Sequence, residues 1–245
     1  MEKFTKEYRI SLRDMSADFK AKSTTLLHDF EECFAQYCFK NELSGYHLDK
    51  IGLMWVIANI NLEIFGEMPL WDEWIKFEVW FSEIKKSRAY LEFRAFHKDK
   101  LLAHGDSLWF ILDQKTRRPV ALDKILEPCG IINEVNFDSH KKSDINIEEY
   151  NLLNELELDV TFNDLDYNNH VNNVSYVDWA IISIPDEIRK HIKIKKYSLS
   201  FLQECFLREK IKTRLYQNGE KLHFEVIKED GSIACKIDIE TERTE

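Results

Sequence analysis

The order of elements in this chain repeats. In the first half, a strand pattern at Phe4–Leu12 leads into a polar turn at Arg13–Lys22 and a helix pattern at Ser23–Phe39. Four runs rich in β-branched and aromatic residues follow: Gly52–Phe65, Trp74–Lys85, Ala89–His97 and Leu101–Asp113. The second half runs the same way. A strand pattern at Glu155–Phe162 precedes a polar turn at Asn163–Asn172 and a helix pattern at Asn173–Ile184, and strand patterns follow at Tyr197–Leu207, Lys210–Gln217, Lys221–Lys228 and Ser232–Glu240. One helix followed by a meander of strands buries its apolar stripe when an antiparallel sheet wraps around it, and the pattern argues against a doubly wound parallel sheet. The predicted class is α+β: two antiparallel sheets, each wrapped around a long helix. The expected boundaries are 1–130, a connection at 131–150 with no strong period, and 151–245.

The helix assignments rest on spacing. Leu26, Leu27, Phe30, Cys33, Phe34 and Tyr37 recur at helical intervals, with Ser23, Thr24 or Thr25 as the expected cap. In the second helix Val174, Val177, Ile181 and Ile184 form the stripe, and Pro185 stands just past its end. Asn218-Gly219 and Asp230-Gly231 supply hairpin turns.

Charge and composition exclude several classes of function. A net charge of −10 is the wrong sign for a nucleic-acid partner, which calls for a basic footprint. The 7 glycines form neither GxGxxG nor GxxxxGK, which argues against dinucleotide and P-loop sites. The 8 histidines form no HExxH or Cys/His cluster, so no metal is expected. No apolar run reaches the length of a membrane span, and the N-terminus carries no apolar leader. The 5 cysteines are odd in number and contain no CxxC pair, which fits free thiols in a reducing cytoplasm.

The turn of the second half is chemically dense. Asp164-Leu-Asp-Tyr-Asn-Asn-His-Val-Asn-Asn-Val-Ser-Tyr176 holds two carboxylates, four Asn and a His between a strand and a helix. Asp166, Asn168 and His170, at alternate positions, suit acid–base chemistry on a carbonyl. A turn capping the next helix would also favour Asn and Asp. The first-half turn places Ser16, Asp18 and Lys20 against these three residues and has no Asn-x-His pair.

This motif resembles the signature of the acyl-acyl carrier protein thioesterases of plastids and bacteria. Tyr197-Ser-Leu-Ser-Phe-Leu-Gln-Glu-Cys205 resembles that family's Glu-Cys strand, and Gly52-Leu-Met-Trp-Val-Ile57 with Pro69-Leu-Trp71 resembles its N-terminal half. The resemblance implies a tandem hot-dog fold with no cofactor. It implies hydrolysis of the thioester between a fatty acyl chain and acyl carrier protein, which releases free fatty acid and ends chain elongation. It assigns catalysis to Asp166, Asn168, His170 and Glu204, and puts Cys205 where a nucleophile has been suggested. It makes the first unit the acyl-chain holder. On a regular strand, Glu204 and Cys205 face opposite sides, so only one of them meets His170. Glu204 is the expected base and the start of the Asn173–Ile184 helix the expected oxyanion site.

A basic run, Arg189, Lys190, Lys193, Lys195 and Lys196, is a solvated loop or a dock for an acidic carrier protein. The alternatives are a coenzyme A thioesterase, a hot-dog hydroxyacyl-thioester dehydratase and a non-catalytic acyl sensor. A dehydratase would carry a His before Phe-Pro-Gly, and a DNA-linked sensor a basic recognition helix. A tandem repeat already forms an internal pseudo-dimer, and a homodimer of the whole chain stays open.

Overall fold

The computed structural model describes residues 2–137 and 145–244. The chain divides near residue 140 into two compact units.

The first unit contains β1 (Phe4–Arg9), α1 (Thr24–Lys40), the short α2 (Gly45–Asp49), β2 (Leu53–Ile64), β3 (Trp74–Lys85), β4 (Arg88–His97) and β5 (Lys100–Asp113). Its strands pair antiparallel in the order β1-β3-β4-β5-β2. The helix turns Leu26, Leu27, Phe30, Cys33, Phe34 and Cys38 into the core. There the Phe30 ring stacks on Phe93 at 4.0 Å, and Phe34 packs on Trp109 at 4.5 Å. Tyr37 is only half-buried, because its hydroxyl donates to the Cys129 carbonyl at 2.9 Å. Ser23 occupies the N-cap in an αR conformation without a side-chain cap bond, so the expected capping is not realised.

The second unit contains β6 (Asn151–Asp159), α3 (Asn173–Ser183), α4 (Asp186–Arg189), β7 (Ile192–Phe201), β8 (Lys210–Asn218), β9 (Lys221–Lys228) and β10 (Ile233–Arg243). Its order, β7-β10-β9-β8-β6, is the same topology when each strand is matched to its counterpart. The helix buries Val174, Tyr176, Val177, Trp179 and Ala180, a wider face than the expected stripe. Asn172 caps it, its Oδ1 accepting from the Val174 N–H at 2.8 Å.

Three boundaries differ from the sequence reading. The strand expected at Tyr197–Leu207 is β7, which starts at Ile192 and stops at Phe201. The strand expected from Glu155 begins at Asn151. Within the expected connection, residues 131–137 hydrogen-bond to the first sheet: Ile132 N–H donates to Phe81 O, and the Asn136 amide donates to both Phe93 O and Gly105 O. Residues 138–144 of that connection lie outside the described residues. No helix among the described residues is long and apolar enough to cross a membrane.

Candidate active site

The site of the second unit is built on the turn between β6 and α3. Thr161 and Asp164 close a reciprocal capping box, with the Thr161 N–H donating to Asp164 Oδ2 at 2.7 Å. The chain then doubles back: Asp166 N–H donates to His170 O at 2.8 Å, and Asn169 adopts φ 60°. Asn tolerates that left-handed conformation better than most residues.

The Asp166 carboxylate stabilises this turn. Its Oδ1 accepts from the N–H of Asn168 at 2.8 Å and of His170 at 3.2 Å, and its Oδ2 accepts from Asn168 Nδ2 at 3.3 Å. The sequence analysis grouped Asp166 with Asn168 and His170 as acid–base residues. The structure instead commits Asp166 to the turn backbone and to the Asn168 amide.

His170 meets its ring partner from a different segment. Glu204 Oε1 lies 3.3 Å from His170 Nδ1, with the two side chains 30% and 20% exposed. Glu204 is not on a regular strand. Past the end of β7, Leu202 and Gln203 still donate to Ala234 O, and the segment then turns through Arg208 at φ 66°. A lone bridge joins His170 to Phe206, and Val171 N–H donates to Cys205 O at 2.9 Å. The Phe206 ring meets the imidazole edge-on at 5.1 Å.

Glu204 and Cys205 diverge even without a strand to alternate them. Cys205 is 0% exposed and sits beside the Tyr176 hydroxyl, and burial pushes its thiol above the ordinary range. All five cysteines are buried free thiols. The expected oxyanion site at the start of α3 is largely occupied. Val174 N–H is held by Asn172 Oδ1, and Ser175 N–H by Asn172 O at 3.0 Å. The physical reason is the Asn172 cap, which satisfies these amides before a substrate arrives.

Residues 1–128 match the family model described as the acyl-ACP thioesterase N-terminal domain, and residues 147–243 match the acyl-ACP thioesterase C-terminal domain. The chain belongs to the acyl-ACP thioesterase family. A chloroplastic acyl-[acyl-carrier-protein] hydrolase of Cuphea viscosissima is 27% identical over 216 residues, covering 82% of this chain and 52% of that protein. A chloroplastic palmitoyl-acyl carrier protein thioesterase of Arabidopsis thaliana is 24% identical over 216 residues with the same coverage. The chain therefore spans about half the length of these curated relatives. An acyl-ACP thioesterase from Bacteroides thetaiotaomicron shares the fold at TM-score 0.86 and 16% identity over 97% of both chains. The 12:0-ACP thioesterase from Umbellularia californica shares it at 0.85 and 19% identity, covering 99% of this chain and 98% of that one. The fold of this family member is the tandem hot-dog, as the resemblance implied.

Several features of this thioesterase-family site had no signal in the sequence. Lys228, the last residue of β9, donates to the Glu204 carbonyl at 2.7 Å and pairs with Glu209 at 3.0 Å. Tyr176 reads as one more apolar helix residue, and Phe206 as a strand residue. Both owe their roles to chain segments distant in sequence. The basic run occupies the end of α4 and the start of β7, so it is not a free loop. Arg189 pairs with Asp186, Lys195 with Glu242 at 3.5 Å and Lys196 with Glu240 at 3.9 Å. These acids reduce the positive field that the run suggests.

Proposed function

We propose that this chain hydrolyses the thioester joining a fatty acyl chain to acyl carrier protein. The observation that carries the reading is the Glu204 carboxylate 3.3 Å from His170 Nδ1, in a chain of this family. The Glu204 carboxylate takes a proton from water, and the resulting hydroxide attacks the thioester carbonyl carbon. The His170 imidazole orients Glu204 and shares charge with it. The Asn168 amide has two N–H groups and spends one on Asp166, so the other serves the oxyanion. Collapse of the tetrahedral intermediate breaks the C–S bond. The thiolate takes the proton held by Glu204, leaving a fatty acid and the carrier's thiol. Asp166 acts by holding the turn.

Cys205 is a poor nucleophile in this reading, since a buried thiol with a raised pKa yields little thiolate. The first unit, without the Asn-x-His pair, holds the acyl chain. Its half-buried Trp55, in edge contact with Phe34 and Trp109, supplies apolar wall for that purpose. The run Arg189–Lys196 contributes to docking of the acidic carrier.

A hydrolysis panel of acyl-carrier-protein thioesters against the matching coenzyme A thioesters, at low and high salt, tests these statements. The expected result is turnover of carrier-protein thioesters, with lower KM at low salt. Absence of turnover of any thioester overturns the hydrolytic reading. Preference for the coenzyme A series overturns the choice of carrier.

A further inference from the structure

The segment that bears Glu204 has no strand of its own to hold it. Leu202 to Glu209 joins β7 to β8, and within it only Phe206 makes a bridge, to His170. A carboxylate on such a segment keeps its place only if something braces the backbone, because angular error at a reacting group costs rate steeply.

One side chain spans this segment. The Lys228 ammonium donates to the backbone carbonyl of Glu204 at 2.7 Å. It also lies 3.2 Å and 3.0 Å from the two carboxylate oxygens of Glu209, at the far end of the same segment. Between these anchors it sits 5.5 Å from the Phe206 ring centroid, a cation–π approach, and that ring packs edge-on against His170. The lysine side chain is only 18% exposed, so its contacts are little screened. Lys228 thus touches the segment at Glu204, Phe206 and Glu209, and two of these three residues contact the imidazole.

The first unit has the same segment without this brace. Glu73 stands at the position of Glu209, its carbonyl taking the Ile10 N–H as Glu209 O takes the Val160 N–H, and it meets His97 Nε2 at 3.0 Å and Lys98 Nζ at 2.5 Å. Its carboxylate also takes the Leu70 N–H at 2.9 Å. The residue in register with Glu204 there is Met68, since Ala21 N–H donates to Pro69 O as Val171 N–H does to Cys205 O.

We propose that Lys228 is a positioning residue for the reaction. It pins the Glu204 carbonyl to Glu209, and this sets the approach of the Glu204 carboxylate to His170. The proposal rests on the hydrolytic reading of the site. Lys228 touches no substrate atom. Its ammonium crosslinks the two ends of the segment through ordinary hydrogen bonds, and no covalent step involves it.

The test compares Lys228→Met and Lys228→Arg with the wild type in the full chain. Lys228→Met should lower kcat by about 10- to 100-fold with KM within about 2-fold, the signature of a misplaced reacting group. Lys228→Arg should recover most of the loss, since guanidinium also bridges a carbonyl and a carboxylate. Equal kcat in the folded Met variant, or an Arg variant no better than Met, overturns the proposal. The second readout needs no substrate: the ring resonances of His170, assigned with His170→Ala and followed by NMR across pH, should shift in Lys228→Met. An unchanged titration overturns the proposal, whereas a wild type that turns over no thioester overturns only the hydrolytic reading. If Lys228→Met does not fold, the same NMR comparison is made on Glu209→Gln, where a shifted His170 titration supports the brace and an unshifted one removes it.

Discussion

The turns at residues 11–22 and 161–172 have the same backbone and opposite chemistry. Ser11 and Asp14 form the capping box that Thr161 and Asp164 form in the other half. Lys22 N–H reaches Asp14 O at 2.8 Å, and Asn172 N–H reaches Asp164 O at 2.8 Å. Phe19 takes φ 62° where Asn169 takes 60°. The lone bridges correspond as well: Met15 to Ala21 and Lys20 to Leu70 in one half, Leu165 to Val171 and His170 to Phe206 in the other. Yet Ser16, Asp18 and Lys20 replace Asp166, Asn168 and His170, and Lys20 pairs with Glu67 at 2.6 Å where His170 meets Glu204. The turn is thus a property of the fold, held by backbone bonds that several side chains can supply. What differs is the side chains: Asp166, Asn168, His170 and Glu204 have no like residue at the matched positions of the first copy.

The most severe way to break this comparison is to remove the acids. Glu204→Ala should lower kcat by about 100- to 10,000-fold, the worth of a general base. Glu67→Ala, which removes the acid that Lys20 meets in the other half, should leave kcat within about 2-fold, and Cys205→Ala should do the same. Steady-state hydrolysis of one acyl-carrier-protein thioester checks all three. Equal losses in Glu67→Ala and Glu204→Ala would make both copies reactive.

The cores of the two halves differ where Phe93 faces Gly105 and Phe224 faces Ile237 across their strand pairs. A Cβ on Gly105 would come within 2.0 Å of the Phe93 ring and 2.3 Å of Asn61 O. Gly105→Ala should therefore cost about 1–3 kcal/mol, read as a lower denaturation midpoint at unchanged m-value. An unaltered midpoint would mean that the Phe30–Phe93 stack yields freely.

The helices sharpen the contrast through pH. Counting from the matched turns, Asp29 on α1 stands where Trp179 stands on α3. Burial, with Asp14 nearby, pushes the Asp29 carboxyl from 3.8 up to about 7. The fold favours the neutral acid, so the contribution of this group is full below pH 3.8 and is lost as pH rises through about 7. Asp29→Asn should flatten the stability profile over that window. At pH 8 it should raise Tm by about 2–4 °C per kcal/mol recovered. A wild-type profile matching that of the Asn variant would remove Asp29 as its source.

The smallest effect expected is at Phe19, a bulky residue held at positive φ and 75% exposed. Phe19→Asn, the residue of the other copy, should stabilise by up to about 1 kcal/mol by easing the left-handed conformation. Thermal unfolding measures it, and a loss of stability would show that Phe19 makes a contact worth more than the strain.

Sequence alone carried the two-unit repeat, the antiparallel class and the residues of the turn. Apolar periodicity reports which faces are buried, and turn residues report where the chain reverses. It missed the start of β7 because Lys193, Lys195 and Lys196 read as a solvated loop. Their strand status comes from the pairing of Ile192–Ile194 and Lys196 with β10, the register shifting at Lys195. It also expected a regular strand through Leu207, although the pairing stops at Phe201.

That Asn168, His170 and Glu204 occur in one copy only was legible in the sequence. Which of two neighbours meets the imidazole was decided by tertiary structure. Glu204 and Cys205 part company on an irregular segment held by Lys228, Val171 and Ala234, residues remote in sequence. Side-chain direction on such a segment depends on the contacts that brace it, and local sequence carries no record of them.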